Sequence, residues 1–178
     1  MIFTERWKQY LLSEQKNKKR YSFDYDSTLI VFDMIKDKDG DIDLRYMGPH
    51  DENIEKLIEL SGIPNSEVYI VTSRHKPVEG RKPHFDESPS PEQLVKDLGL
   101  KVKQIIYTEG QPKVNVLKKL GISKHWDDDQ VEIDAIESYN NDNPDNKIQY
   151  QLVPRNNIPY EVNENRKKKY RAFFDSIK

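Results

Sequence analysis

The sequence contains no cysteine, and its 178 residues include no long apolar run. Without cysteine, the chain has no disulfide framework and no zinc site built on thiolates. No apolar run approaches the ~18 residues of a membrane-spanning helix, so no membrane partner is expected. Residues 1–12 include Glu5, Arg6 and Lys8, so we expect no signal-peptide core. These absences favour a cytoplasmic protein.

Neither sign of charge dominates, because the chain has 29 Lys and Arg and 31 Asp and Glu residues, a net charge of −2. This balance excludes a polyelectrolyte tail. Hydrophobic residues make up 35% of the chain, enough for a core at this length. We therefore expect one folded domain over residues 1–178. Ala135 and Ala172 are the only alanines. That scarcity, with abundant Lys, Ile and Asn, is typical of an AT-rich phage or bacterial genome. If the protein is phage-encoded, its expected location is the host cytoplasm.

Apolar periodicity predicts strands that alternate with helices along the chain. Alternation of this kind indicates an α/β protein with a mainly parallel sheet. The predicted strands are 21–23, 29–35, 42–46, 68–71, 102–107, 122–126 and 148–153, and the predicted helices are 1–15, 53–60, 91–98, 114–120, 130–139 and 166–177.

Four segments lie outside this regular alternation. Residues 29–46 are predicted to form a hairpin flap, with Asp39-Gly40 as its turn. Residues 74–91 form a long, proline-bearing loop that we expect on the substrate side. Residues 1–20 are predicted as a helix followed by a basic connector, and residues 165–178 as a C-terminal helix.

Polar side chains follow several predicted strands, and ligands of parallel sheets bind beyond the carboxyl ends of strands. Asp24 and Asp26 follow the first strand, where two close carboxylates need a cation or a partner unless they form a solvated turn. Thr72, Ser73 and Arg74 follow another strand. A hydroxyl and a cation there can bind phosphate, or can belong to a solvated loop.

Lys113 and three adjacent aspartates complete the set of candidates. Lys113 opens a predicted helix, where it could hold a phosphoryl group and a carboxylate together or be an ordinary surface lysine. Asp127, Asp128 and Asp129 end the strand that follows. They could bind a hard cation or form the acidic first turn of the next helix. Both can hold for different aspartates, and Asp129 is predicted as the helix cap.

The order of these segments resembles the haloacid dehalogenase (HAD) superfamily of phosphohydrolases. The family pattern is strand–Asp-x-Asp-x-Thr, strand–Thr/Ser, Lys, and strand–Asp-Asp. It is met by residues 24–28, Thr72, Lys113 and Asp127-Asp128, within about 21–153. The resemblance is to phage and bacterial members, including the phosphatase half of polynucleotide kinase–phosphatases; the sequence has no P-loop for a kinase half. It implies a HAD-like Rossmannoid three-layer α/β/α fold without a large cap domain.

The resemblance also implies a mechanism that depends on Mg²⁺. Asp24 would be the nucleophile, and Asp26 the general acid and then the general base. The metal would be held by the Asp24 carboxylate, the main-chain carbonyl of Asp26, and Asp127 or Asp128. Asp127 is preferred because it follows the strand directly. The other implied site residues are Thr72, Ser73 and Lys113 for phosphate binding, with Thr28 and Arg74 in support.

An open site leaves several substrate classes to consider. A small phosphomonoester or a nucleotide is favoured. A 3′-phosphatase acting on DNA or RNA ends is an alternative, because basic runs at 16–20 and 166–171 could follow a nucleic-acid backbone. The same runs could be solvated faces, which the negative net charge favours. A non-catalytic binding or regulatory protein on the same fold is the rival from another class.

Overall fold

The computed structural model describes residues 18–36, 42–76 and 88–155. The predicted helices at 1–15 and 166–177, the Asp39-Gly40 turn, most of the 74–91 loop, residues 16–17 of the first basic run and all of the second lie outside this part. The strands are β1 (Lys19–Phe23), β2 (Ile30–Lys36), β3 (Ile42–Pro49), β4 (Ser66–Thr72), β5 (Gln104–Tyr107), β6 (Lys124–Asp127) and β7 (Gln149–Leu152). The helices are α1 (Asp51–Gly62), α2 (Pro91–Asp97), α3 (Val114–Leu120) and α4 (Gln130–Asp142).

Five strands form one parallel sheet in the order β5-β4-β1-β6-β7. From the central β1 the chain winds outward through β4 and β5. It then crosses to the other side of β1 and continues through β6 and β7. The winding reverses between β1 and β6, and such a switch point opens a crevice at the carboxyl ends of the two strands. The predicted α/β fold with a mainly parallel sheet is confirmed.

Helices cover both faces of the sheet, because strand side chains alternate between the two faces. On one face Phe23 and Trp126 stack at a centroid distance of 4.5 Å, in a core shared with α1 and α2. On the other face Tyr69 and Val71 pack with α3 and α4. The result is a three-layer α/β/α arrangement, consistent with a HAD-like Rossmannoid fold.

The predicted hairpin at 29–46 is present as the antiparallel pair β2 and β3, and it extends to Pro49. Leu29 and Ile30 at its base are fully buried, and His50 N donates to Leu29 O at 2.9 Å. This anchors the hairpin beside the loop that follows β1. Its role as a flap stays a prediction.

Helix ends carry the expected chemistry. Asp129 is the N-cap of α4, and its side chain accepts from Val131 N at 3.0 Å, as predicted. Ser90 caps α2 in the same way, with Pro91 in the first turn. None of the four helices in the described ranges combines the length and the apolar character that spanning a membrane requires.

Candidate functional site

The site forms at the switch point, because strand register aligns the ends of β1 and β6. Phe23 pairs with Trp126, and Asp24 N donates to Trp126 O at 2.8 Å. The residue after β1 therefore lies beside the last residue of β6. This brings Asp24 to Asp127 although 103 positions separate them in the sequence.

Three of the predicted aspartates form a buried carboxylate cluster. Oxygen atoms of Asp24, Asp127 and Asp128 all lie within 4.8 Å of one another. The three residues are 6%, 0% and 6% exposed. Buried like charges repel unless a cation or protons compensate them, and carboxylate oxygens are the ligands that Mg²⁺ prefers. The donor set therefore fits a divalent cation.

Lys113 joins two members of this cluster. Its Nζ lies 2.7 Å from Asp24 Oδ1 and 2.7 Å from Asp127 Oδ2, and its side chain is 1% exposed. Its main-chain N donates to Glu132 Oε2 at 3.1 Å, which fixes the start of α3 against α4. The lysine that the sequence singled out is thus part of the site, where it bridges two carboxylates.

The pKa values within the cluster diverge. Burial raises the pKa of Asp24 to about 6, and the nearby Asp127 and Asp26 add to this against the opposing Lys113. Burial together with Asp24 and Asp127 raises the pKa of Asp128 well above its usual range, although Arg155 opposes this. Burial would also raise the pKa of Asp127, but Lys113 and His125 hold it well below its usual range. A cation bound by Asp24 and Asp128 would relieve the repulsion.

Asp26 does not bring its carboxylate into the cluster. That carboxylate instead accepts a forked pair of bonds from Arg74, with Nε at 2.9 Å from Oδ2 and Nη2 at 2.7 Å from Oδ1. Arg74 lies 4.7 Å above the Tyr25 ring and also donates to Ser88 Oγ at 2.8 Å and Pro89 O at 3.2 Å. The predicted supporting residue Arg74 therefore orients Asp26 and ties the end of the long loop to the site.

The predicted hydroxyl residues lie at the same edge of the sheet. Thr28 is fully buried, and its Oγ1 donates to Asp128 Oδ1 at 3.2 Å. Thr72 ends β4, the strand next to β1, and its Oγ1 accepts from Arg74 N at 3.2 Å. Ser73 follows Thr72, and its main-chain O accepts from Gly110 N at 3.0 Å. The phosphate-binding roles of Thr72 and Ser73 stay predictions.

Three residues of the site were missed from the sequence. His125 Nε2 lies 2.9 Å from Asp127 Oδ2, and His125 Nδ1 lies 2.8 Å from Ser22 Oγ. Arg155 Nε forms an ion pair with Asp128 Oδ2. One signal was available for His125, which lies two positions before Asp127 in a strand and so on the same face. Nothing in the sequence pairs Ser22 with His125 or Arg155 with Asp128, because both contacts depend on strand order.

Comparisons with known proteins give weak likenesses. No family model matches the sequence, and no curated protein matches it significantly. Among solved structures, a hypothetical protein XCC2798 from Xanthomonas campestris is 20% identical and has a TM-score of 0.37. The match covers 71% of this chain and 63% of that chain, so this chain spans less than two thirds of that protein.

A second solved structure is a 3-deoxy-D-manno-octulosonate 8-phosphate phosphatase from Moraxella catarrhalis, in complex with magnesium ion, phosphate ion and KDO. It is 15% identical, with 93% of this chain and 97% of that chain covered and a TM-score of 0.37. Likenesses at this level carry no argument about function, which therefore depends on the geometry of the site.

Proposed function

We propose that the protein is a Mg²⁺-dependent phosphatase of the HAD superfamily, which hydrolyses a phosphomonoester through an aspartyl-phosphate. One observation carries this proposal. Asp24, Lys113, Asp127 and Asp128, which hold three of the family's four motif positions, meet in one buried cluster at the switch point of the sheet. Residues with only structural roles would gain nothing from burying three carboxylates together.

We assign the metal to the carboxylates of Asp24 and Asp128 and the main-chain carbonyl of Asp26. Asp127 is less suited as a ligand, because its Oδ2 already accepts from Lys113 and His125 and its Oδ1 accepts from Asp129 N. The bound ion would offset the repulsion between the nucleophile and an anionic substrate. This assignment departs from the sequence-based preference for Asp127.

In the first step, a carboxylate oxygen of Asp24 attacks the phosphorus atom and the bond from phosphorus to the leaving oxygen breaks. Asp26 donates its proton to that oxygen, so the product leaves as a neutral alcohol. In the structure both oxygens of Asp26 accept from Arg74, so one of these bonds has to open before Asp26 carries the transferred proton. Lys113, Thr72 and Ser73 hold the non-bridging oxygens of the phosphoryl group as charge moves between them.

In the second step, Asp26 accepts a proton from water as the water oxygen attacks the phosphorus atom. The bond from phosphorus to Asp24 breaks, which releases inorganic phosphate and restores the Asp24 carboxylate. Asp26 ends this step protonated and ready for another turnover. Each step exchanges one P–O bond for another, and no oxidant or reductant is needed.

A small phosphomonoester or nucleotide remains the favoured substrate class. At the described end of the first basic run, Lys18 and Arg20 each lie 3.1 Å from Glu67 in ion pairs. Those pairs lie at the amino end of β1, opposite the candidate site. They support a structural role for these two cations, and no contact among the described residues favours nucleic-acid ends as a second candidate.

The test is hydrolysis of p-nitrophenyl phosphate with Mg²⁺, with EDTA, and by the Asp24→Asn variant. We expect Mg²⁺-dependent turnover that EDTA abolishes and that Asp24→Asn lowers by at least 10³-fold, because the variant lacks the nucleophile. Asp145→Asn is the matched control, since Asp145 is an exposed aspartate between α4 and β7, at the end of the sheet opposite the site. Turnover that persists in folded Asp24→Asn would exclude the proposed mechanism.

A further inference from the structure

A buried chain of hydrogen bonds runs beneath the carboxylate cluster. Ser22 Oγ lies 2.8 Å from His125 Nδ1, and His125 Nε2 lies 2.9 Å from Asp127 Oδ2. The same Asp127 oxygen lies 2.7 Å from Lys113 Nζ, which lies 2.7 Å from Asp24 Oδ1. This series of contacts thus links the interior of the sheet to the proposed nucleophile.

This Ser–His–Asp series is not a second hydrolytic site. Ser22, His125 and Asp127 are all 0% exposed, so no substrate reaches the serine hydroxyl. Strand geometry accounts for the arrangement. Ser22 and His125 are register partners on adjacent strands, and Asp127 lies two positions further along the same strand face. Contacts between strands are more rigid than contacts made from loops.

The partners of the imidazole decide which ring nitrogen carries the proton. Both oxygens of Asp127 already accept hydrogen bonds, Oδ2 from Lys113 Nζ at 2.7 Å and Oδ1 from Asp129 N at 2.9 Å, and a carboxylate has no proton to donate. His125 Nε2 must therefore donate to Asp127 Oδ2. His125 Nδ1 lies 2.8 Å from Ser22 Oγ, which can donate to it, and 3.2 Å from Ser22 O, which can only accept from it, so Ser22 is compatible with either state of Nδ1. The donor on Nε2 is thus the fixed feature of this histidine.

We propose that His125 is a positioning residue for the proposed phosphatase reaction. It fixes the direction of Asp127 Oδ2 and, through that oxygen, the position of the Lys113 ammonium between Asp127 and Asp24. Without this donor, Asp129 N on Oδ1 and Lys113 itself are the contacts identified for the Asp127 carboxylate. The carboxylate then turns, and Lys113 moves away from the place where it meets both Asp24 and a phosphoryl oxygen. The catalytic part of this inference rests on the proposed function.

Two substitutions at one position separate positioning from packing. In His125→Gln the amide nitrogen can reach the place of Nε2 and keep the donor to Asp127. In His125→Asn the shorter side chain reaches only the place of Nδ1 and loses that donor. We expect kcat for p-nitrophenyl phosphate to fall at least tenfold in His125→Asn and less than threefold in His125→Gln, with equal losses of Tm. Equal losses of kcat in the two variants, or losses that follow Tm, would overturn the proposal.

A second measurement does not depend on catalysis. The imidazole ¹H–¹⁵N spectrum of the wild-type protein, assigned by comparison with His125→Gln, reports which ring nitrogen carries a proton. We expect a proton on Nε2 that exchanges slowly with solvent. A proton confined to Nδ1 would overturn the positioning role whatever the activity. Slow exchange at Nε2 in a protein without phosphatase activity would instead contradict the proposed function and leave the link to Asp127 intact.

Discussion

Asp127 and Asp128 are neighbours in the sequence but lie in opposite electrostatic surroundings. Lys113 and His125 contact Asp127 and hold its pKa below the usual range against the effect of burial. Burial and the nearby Asp24 raise the pKa of Asp128. Neutralising Asp127 and neutralising Asp128 should therefore change the stability of the protein in opposite directions. Loss of the Asp128 charge removes its repulsion with Asp24, which favours the folded protein, whereas loss of the Asp127 charge takes one buried partner away from Lys113.

We predict that metal-free Asp128→Asn has a Tm equal to or above that of the wild type and loses the rise in Tm produced by Mg²⁺. We predict that Asp127→Asn is destabilised by about 3 kcal/mol, because Lys113 loses a buried partner. Thermal unfolding with and without Mg²⁺ measures both effects, with Asp145→Asn as the control. The opposite pattern, with the Mg²⁺ response lost only in Asp127→Asn, would assign the ligand to Asp127.

Residue identity and spacing were sufficient to predict several members of the site. Asp24, Lys113 and the pair Asp127-Asp128 were candidates from their positions after strands or before a helix, and Thr28 was added by the family resemblance; the structure brings their side chains together. Asp129 was predicted as a helix cap because an aspartate just before a helix can accept hydrogen bonds from the first backbone N–H groups. The contacts of His125 with Ser22 and of Arg155 with Asp128 could not be predicted, because they depend on the order of strands that are distant in sequence.

At the scale of elements, α3 is followed by a residue in a backbone conformation that only glycine adopts readily. Gly121 has φ of +63° and ψ of 45°, and its N–H closes the helix on Leu117 O and Lys118 O. A Cβ there would meet Arg20 Nη1 at 3.5 Å, which is ordinary contact, so lack of space is not the constraint. The constraint is the left-handed conformation itself.

We predict that Gly121→Ala lowers the free energy of unfolding by about 1 kcal/mol. Urea denaturation measures this, and Lys119→Ala is the control, since Lys119 is an exposed residue in the last turn of the same helix. The proposed active site is expected to be unaffected, because the cap lies at the far end of α3 from Lys113. A variant as stable as the wild type would show that the backbone relaxes out of the left-handed region.

Element types were easier to predict than element ends. The apolar runs correctly predicted whether each described element is a strand or a helix. The predicted ends differ from the observed ends by a few residues. β4 begins at Ser66 rather than 68, because polar residues there still pair with Lys19 and Arg20 of β1. β7 is an edge strand that is exposed along its length, so it has no buried face to produce an alternating pattern.

At the scale of the whole molecule, one acidic residue joins separate segments at the amino end of the sheet. Glu67 on β4 pairs with Lys18 and Arg20 at 3.1 Å and with Lys103 at 3.6 Å. Partial burial would raise its pKa, but hydrogen bonds from Lys18, Arg20 and Tyr69 lower it from 4.5 to about 2. A carboxyl group whose folded pKa is depressed adds stability above its unfolded pKa, and that stability disappears as the pH falls.

We predict that Glu67→Gln is less stable than the wild type by about 1 kcal/mol at pH 7, since the paired cations are partly exposed and screened. The difference should shrink as pH falls from about 4.5 towards 2. Urea denaturation of both proteins across this range measures it, with Glu59→Gln as an exposed control. A difference that stays constant with pH would mean that ionisation of Glu67 contributes nothing.

The order of strands was the part of the fold that sequence patterns could not supply. Alternating runs predict a parallel sheet, but they do not say that β1 lies between β4 and β6. That order decides which strand ends share the switch point. It makes Asp24 and Asp127 neighbours. It also places Arg155, which follows β7, in contact with Asp128. Motif order could predict the set of site residues, but only the topology explains their contacts.

The bonds from Arg74 to Ser88 and Pro89 have a consequence for how this chain can change in length. Both ends of the segment between them are already held together at the site, so its closure does not depend on the residues in between. Lengthening a loop whose ends are fixed costs little, about 0.6 kcal/mol for each doubling. Insertions or deletions between Arg74 and Ser88 should therefore leave the orientation of Asp26 unchanged.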